Sequence, residues 1–162
     1  MYDLNHFKQK VNSNIPSVSL TMLRLTKIFH FETAHAIFGY QGGCKNIHGH
    51  SYVLHVTISS PHDDFIPAPG FILDFKKLKA IVSAAIIEQF DHKLILSNDY
   101  LTSHQIMESQ ENLVIWEAEP TAENMLIYIK RTLQQQLPEG INLVYLKLYE
   151  TKDSYAEWFI DR

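Results

Sequence analysis

His48 and His50 are separated by a single residue. Of all the spacings in this sequence, this one most directly suggests a chemical role. On a β-strand, residues two apart project from the same face, so both imidazoles could reach one metal ion. His35 lies in the preceding apolar segment, and antiparallel pairing of the two segments could bring it alongside. Three histidines that leave a fourth position open for water or a substrate oxygen are typical of catalytic zinc. The three histidines are therefore a candidate zinc site.

The one cysteine of the chain, Cys44, lies four residues before His48 in a glycine-flanked loop. A lone cysteine is usually a small buried hydrophobe, but the loop position favours an accessible thiol. A nearby zinc ion and Lys45 would both favour the thiolate, which is the reactive form. Cys44 could instead be a fourth ligand that closes a structural zinc site. Residue types and spacing leave both roles open.

The pair Asp91-His92 follows a segment that begins after Asp74, ends near Phe90 and is predicted below to be a helix. The pair has two interpretations. A histidine at a helix C-terminus is favoured by the helix dipole, so the pair can be an ordinary polar turn. Alternatively, the carboxylate orients the imidazole, which then exchanges protons with Cys44. Spacing alone favours the polar turn.

Glu150 is unusual because it continues an apolar strand face formed by Val144, Leu146 and Leu148. A buried carboxylate without a partner is costly. Glu150 is therefore either the exposed end of the strand or the partner of a group with several donors, such as an arginine or a ligand with a guanidine-like edge. Glu123 is different, because it lies in the first turn of a predicted helix, where it suits the helix dipole and has mainly a structural role.

Alternation of apolar residues predicts four strands that carry these side chains. They extend over residues 23–35, 50–58, 144–150 and 156–160. The segment 97–112 is polar and is predicted to be a long loop, and residues 113–116 are a candidate short strand.

Helical spacing predicts two helices between the second and third of these strands. The first is capped by Asp74 and ends near Phe90, and the second opens at Pro120-Thr121 and closes before Pro138. This order predicts an α+β fold, an antiparallel sheet with helices on one face. A sheet covered on one side only often needs oligomer contacts to complete its burial.

Length and composition fit one globular domain. Residues 1–21 are predicted to be a loosely ordered N-terminal extension, and residues 22–162 a single domain. A net charge of -4 and a pI of about 6.1 argue against a general nucleic-acid binder. No apolar run could span a membrane, and no signal-peptide pattern opens the chain. A single cysteine excludes an internal disulfide and fits a cytoplasmic protein.

Six segments, in this order, resemble the 6-pyruvoyltetrahydropterin synthase superfamily. They are Phe31–His35, Cys44–Tyr52, Gly70–Phe75, Phe90–His92, Pro120–Asn124 and Tyr149–Thr151. The likeness covers about residues 23–160. Each segment is a weak signal, and the ordered set is specific. The resemblance implies a tunnelling fold, in which a four-stranded antiparallel sheet with two helices on one face assembles into a barrel, usually a homohexamer of two trimers.

The resemblance also implies roles for the site residues, at a pterin pocket between subunits. By position, His35, His48 and His50 match the zinc ligands of the family. Glu150 matches the acid that holds the aminopyrimidine edge of the pterin, which agrees with the multi-donor partner considered above.

Three further positions match the catalytic group of the family. Cys44 matches the catalytic base, and Asp91 and His92 match its partners, contributed by a neighbouring subunit. The implied substrate is the pterin 7,8-dihydroneopterin triphosphate. Lys27, Lys45 and Lys93 are candidate triphosphate contacts because they lie near the motifs.

The gap of three residues between Cys44 and His48 is similar to the bacterial 6-carboxytetrahydropterin synthase branch of queuosine biosynthesis. The implied reaction releases triphosphate and acetaldehyde and leaves 6-carboxytetrahydropterin. The 6-pyruvoyl reaction on the same substrate is the first alternative. A non-catalytic zinc or pterin binding protein and an unrelated zinc hydrolase are the others. The joint presence of Cys44, Asp91 and His92 argues against a binding protein, and Glu150 argues against a hydrolase.

Overall fold

The computed structural model describes residues 23–60, 64–105 and 111–160. It is an α+β structure with six strands: β1 (Arg24–His35), β2 (His48–Ser59), β3 (Lys93–Ser97), β4 (Leu113–Trp116), β5 (Asn142–Thr151) and β6 (Ser154–Phe159). The predicted extension over residues 1–21 lies outside the described residues, so the domain boundary stays a prediction.

The helices lie between β2 and β5. Helix α1 (Phe75–Val82) continues without a break through a π-helical segment (Ser83–Ile87) into α2 (Glu88–Phe90). Helix α3 (Asn98–His104) follows β3, and α4 (Ala122–Gln136) precedes β5. None of these helices has the length and apolarity that crossing a bilayer requires.

The strands form one mixed sheet in the order β4-β3-β1-β2-β5-β6. The predicted antiparallel sheet is right for β1, β2, β5 and β6, which pair antiparallel. It is wrong for the whole sheet, because β3 pairs parallel with β1, and β4 pairs parallel with β3. Leu94, Ile95 and Leu96 are all buried, so β3 lacks the alternation that reveals a half-exposed strand.

The main core lies between one sheet face and the helices α1 and α4, as the sequence predicts. Side chains of alternate residues on β1 and β2 meet side chains of both helices there. The centre of this core consists of Phe31, Tyr52, Leu54, Leu78, Ile86, Phe90, Met125, Ile129 and Leu133.

Helix α3 corrects the prediction of a long loop for residues 98–104, and residues 106–110 of the predicted loop lie outside the described residues. Ser97 caps the helix by accepting a hydrogen bond from the backbone N–H of Tyr100, at 3.1 Å. Tyr100 and Leu101 pack with Leu94 and Leu96 in a second, small cluster. Because alternate strand residues point to opposite faces, this cluster lies on the other face of β3 from Ile95. With two buried residues, α3 has no apolar periodicity to detect.

Two predicted helix caps are present. The Asp74 carboxylate accepts a hydrogen bond from the backbone N–H of Lys76, at 2.7 Å, and the Thr121 hydroxyl accepts one from the N–H of Asn124, at 3.3 Å. The second cap fixes the turn that precedes α4, and this turn contacts the candidate site.

The sheet face opposite α1 and α4 keeps large apolar side chains in solvent. Ile28 is 50% exposed, Tyr155 51% and Phe159 54%. Ile28 lies on β1 and the other two on the edge strand β6, so the exposed side chains span much of this face.

Candidate metal centre and active site

Three imidazoles converge at one end of the β1–β2 ladder. His35 is directly opposite His48, and Thr33 is opposite His50. Paired residues on antiparallel strands project to the same face. The ring centroids of His35 lie 4.6 Å from His48 and 5.3 Å from His50, and one potential ligand atom from each ring lies within 4.8 Å of the others. This group could hold a metal ion.

Backbone carbonyls orient two of these rings. Nδ1 of His35 donates to the carbonyl oxygen of Pro120 at 2.6 Å, and Nδ1 of His48 donates to the carbonyl oxygen of Asn46 at 2.8 Å. A carbonyl can only accept, so Nδ1 carries the proton and Nε2 presents its lone pair. Both rings are therefore set in the tautomer that a metal requires.

The remaining nitrogens support the same conclusion. Nε2 of His35 and Nε2 of His50 are buried and have no hydrogen-bond partner among the described residues. Buried polar atoms without partners are rare and need an explanation. A metal ion bound by both nitrogens would satisfy them, so the donor set fits a divalent metal that prefers imidazole.

Burial lowers the pKa of both His35 and His50. Desolvation is the largest cause in each case, and the neighbouring His48 adds to it, while the Glu150 carboxylate acts in the opposite direction. A lowered pKa keeps the imidazoles neutral at neutral pH. Neutral imidazole is the form that binds metals, so His35 and His50 do not have to lose protons before a metal enters.

Glu150 lies near the end of β5 and faces the histidines. Its Oε1 accepts a hydrogen bond from the Tyr52 hydroxyl at 3.3 Å and lies 3.5 Å from Nε2 of His35 and 3.8 Å from Nε2 of His50. Burial, and then the carboxylate, raise the pKa of Tyr52, so its hydroxyl stays a donor. Among the described residues, Oε2 makes no hydrogen bond. Glu150 is half-buried, with one oxygen fixed and one free for a ligand.

A cavity of about 380 Å³ joins several of these groups. His35, Cys44, Glu123 and Glu150 all line it. Its volume lies within the range of small-molecule sites. Cys44 is exposed on a 3-10 turn, Gly43–Lys45. One chain therefore brings a candidate metal ligand, the thiol and the carboxylate to a single cavity.

Asp91 and His92 lie elsewhere, directly after α2. Oδ1 of Asp91 lies 3.0 Å from Nδ1 of His92 and accepts a hydrogen bond from the N–H of Glu32 at 2.9 Å. His92 has a φ of 58°, which is uncommon for a residue other than glycine. Its imidazole is 80% exposed, and neither residue lines the cavity with Cys44. The structure forms the Asp91–His92 pair but does not bring it to the thiol of the same chain.

Several cavity residues were not predicted from the sequence to bind a ligand, and Tyr40, Glu123 and Tyr155 are among them. Glu123 was predicted to have mainly a structural role, because a carboxylate in the first turn of a helix needs no other explanation. A signal was available, since Glu123 lies within Pro120–Asn124, one of the six segments that carry the resemblance. No sequence signal connects Tyr155 with the cavity, because it reaches the cavity only through the β5–β6 pairing.

Known proteins resemble this chain over most of its length. The family model described as 6-pyruvoyl tetrahydropterin synthase matches residues 24–160. A 6-carboxy-5,6,7,8-tetrahydropterin synthase of Rickettsia felis is 34% identical over 140 residues, which cover 84% of this chain and 99% of that protein. The human 6-pyruvoyl tetrahydrobiopterin synthase is 32% identical over 116 residues, 70% of this chain and 68% of that protein. The solved 6-pyruvoyl tetrahydropterin synthase of Caenorhabditis elegans has the same fold, with a TM-score of 0.63, 20% identity, and coverage of 88% of this chain and 98% of that one.

Proposed function

Because the chain belongs to the 6-pyruvoyl tetrahydropterin synthase family, we propose that it is a zinc-dependent lyase of the 6-carboxytetrahydropterin branch. It would convert 7,8-dihydroneopterin triphosphate and one water molecule to 6-carboxy-5,6,7,8-tetrahydropterin, acetaldehyde and triphosphate, and so supply a precursor of queuosine. The observation that carries the proposal is the cavity shared by His35, Cys44 and Glu150. A metal ligand, a thiol and a free carboxylate oxygen there are the groups that the reaction needs.

His35, His48 and His50 would hold the zinc, through ring nitrogens that lie within 4.8 Å of one another. When bound, zinc supplies a positive charge that polarises substrate oxygens and makes the neighbouring carbon-bound protons more acidic. The carbonyls of Pro120 and Asn46 keep two of these rings in the metal-binding orientation before any metal arrives.

Glu150 would anchor the pterin. Its free Oε2 can accept from the aminopyrimidine edge, which presents adjacent N–H groups to a carboxylate as a guanidine does. The hydrogen bond from Tyr52 restrains the other oxygen, so the carboxylate is oriented before the ligand binds. Binding at this edge would place the side chain of the pterin toward the three histidines.

Cys44 would move the substrate proton as a thiolate. Asp91 and His92 would exchange that proton with it from a neighbouring subunit, because the pair does not line the cavity of its own chain. The exposed apolar face with Ile28, Tyr155 and Phe159 supports an oligomer in which other copies cover it. We therefore propose the tunnelling-fold barrel, a homohexamer of two trimers. A single cysteine, which can form no internal disulfide, agrees with a cytoplasmic location.

The expected pterin product depends on the branch of the family to which the chain is assigned. The three-residue gap between Cys44 and His48, and the name of the Rickettsia felis relative, both favour the 6-carboxy product. The human relative, which has the 6-pyruvoyl name, matches a smaller part of the chain, so the 6-pyruvoyl reaction is the second candidate.

Release of triphosphate from 7,8-dihydroneopterin triphosphate tests whether the protein is an enzyme. The purified zinc-loaded protein should release triphosphate with turnover, and the same protein after chelation should not until zinc is restored. Both candidate reactions give this result. A protein that binds zinc and the pterin but releases no triphosphate would be a binding protein instead.

A further inference from the structure

Two consecutive residues before α4, Glu119 and Pro120, contact the end of β1 and the start of the loop that carries the thiol. The Pro120 carbonyl accepts from Nδ1 of His35 at 2.6 Å. The Glu119 carboxylate accepts from the backbone N–H of Phe38 at 2.7 Å. One turn therefore holds both a candidate metal ligand and the start of the Cys44 loop. These two groups lie about 80 residues away from the turn along the chain, so the contacts between them are long-range contacts and do not follow from local propensity.

The Cys44 loop is closed by hydrogen bonds beside this contact. The N–H of Ile37 donates to the carbonyl oxygen of Cys44 at 2.9 Å, and Ile37 is the residue next to Phe38. The side chains of Phe38 and Tyr40 are 40% and 53% exposed, so packing holds the loop weakly. The position of the thiol relative to His35 therefore depends on these few hydrogen bonds.

The turn itself is rigid. The carbonyl oxygen of Glu119 accepts from the backbone N–H of Thr121 and from the amide of Asn124, both at 2.9 Å. The Thr121 hydroxyl in turn caps α4, which packs on the sheet through the buried Met125. The Glu119 side chain thus connects this hydrogen-bonded turn to the Cys44 loop, which packing holds only weakly.

We infer that Glu119 is a positioning residue for the proposed reaction. Its carboxylate fixes Phe38, and through the Ile37–Cys44 hydrogen bond it sets the distance between the thiol and the metal site. The role requires an acceptor oxygen at this position, which the carboxylate provides. The inference rests on the proposed function where it treats Cys44 as the base; the structural link between Glu119 and the loop does not depend on it.

Glu119→Ala tests the inference, with Glu119→Gln as the conservative variant that keeps an acceptor oxygen. Glu117→Ala is the matched control, because Glu117 is an exposed carboxylate two residues away with no side-chain hydrogen bond among the described residues. In zinc-loaded Glu119→Ala we expect unchanged zinc content and KM and a kcat lower by roughly 10- to 100-fold, the scale for misplaced catalytic groups. Glu119→Gln and Glu117→Ala should stay close to the parent.

Two measurements do not need turnover. Hydrogen–deuterium exchange of the peptide containing residues 37–44 should be faster in Glu119→Ala and near the parent rate in Glu119→Gln. Cys44 is the only cysteine, so iodoacetamide labelling reports on it alone and should also be faster in Glu119→Ala. If the alanine variant does not fold, Glu119→Asp, one methylene shorter, takes its place in each measurement.

The two possible failures are distinguishable. A parent protein without turnover would remove the proposed function, and exchange and labelling would still test the link between Glu119 and the loop. Unchanged exchange, labelling and kcat in Glu119→Ala would overturn the inference. Equal losses in Glu119→Ala and Glu119→Gln would also overturn it, because an acceptor oxygen would then not be what matters.

Discussion

His35 and His48 are direct partners in the β1–β2 ladder, with ring centroids 4.6 Å apart. The strand register therefore brings the two imidazoles together, and His50, two residues further along β2, completes the group on the same face. A one-residue slip of this register would move both β2 histidines to the opposite face. The metal site is thus a property of strand pairing, and each histidine can be tested separately.

Replacing His48 should remove the metal. We expect the parent to bind about one zinc ion per subunit and His48→Ala to lose it, because two imidazoles and an open position are too few protein ligands for a stable site. Inductively coupled plasma mass spectrometry of the purified proteins measures the zinc content. His55→Ala is the control, since His55 lies on the same strand but packs against Tyr149 outside the group, with the two rings tilted. Full zinc occupancy in His48→Ala would contradict the assignment.

Replacing Cys44 should separate metal binding from turnover. We expect Cys44→Ala to keep its zinc and to lose kcat by roughly two orders of magnitude or more, the usual effect of removing an acid–base group. Zinc content and steady-state kinetics on the same sample measure both quantities. Loss of zinc together with the thiol would instead make Cys44 a metal ligand.

Replacing Glu150 should weaken pterin binding more than it weakens the fold. Glu150→Gln removes the negative charge to which the N–H donors of the ligand would bind. The fold loses only the contacts of this carboxylate with Tyr52 and the histidines. Isothermal titration with a non-reactive pterin, beside thermal unfolding, compares the two effects. Glu157→Gln is the control, because Glu157 on β6 bonds to Tyr145 and does not line the cavity. A large drop in Tm with unchanged pterin affinity would make Glu150 a structural residue.

The Asp91–His92 pair should act across a subunit interface. Cys44→Ala and His92→Ala are each expected to be inactive. Mixed oligomers, refolded together from equal amounts, should regain activity in about one quarter of the sites, where an intact thiol of one subunit faces an intact imidazole of the next. Activity of the mixture is compared with each variant refolded alone. No recovery, when mass spectrometry shows that mixed oligomers have formed, would place both groups in one subunit or remove His92 from the reaction.

The strands that carry the site could be predicted because each has one buried face. Alternation in β1 and β2 indicated that His48 and His50 share a face, and the pairing with His35 followed the expected antiparallel arrangement. The caps Asp74 and Thr121 were equally visible, since short polar side chains before an apolar helical run have few other roles.

The rest of the sheet could not be predicted from the sequence, for physical reasons. Strand β3 is short and buried on both faces, so it has no alternation, and its parallel pairing with β1 joins segments far apart in the chain. Helix α3 buries two side chains and therefore has no periodic face. The contact between Glu119 and Phe38 joins a carboxylate to a backbone N–H. Any residue type at position 38 except proline could make that contact, so no pattern reveals it.

Identification of the product tests the central proposal most directly. The zinc-loaded protein is incubated with 7,8-dihydroneopterin triphosphate, the pterin product is identified by mass spectrometry, and acetaldehyde is trapped as a hydrazone. We predict 6-carboxytetrahydropterin with acetaldehyde in equal amount, and neither product from Cys44→Ala. A dominant 6-pyruvoyl product without acetaldehyde would contradict the proposed reaction.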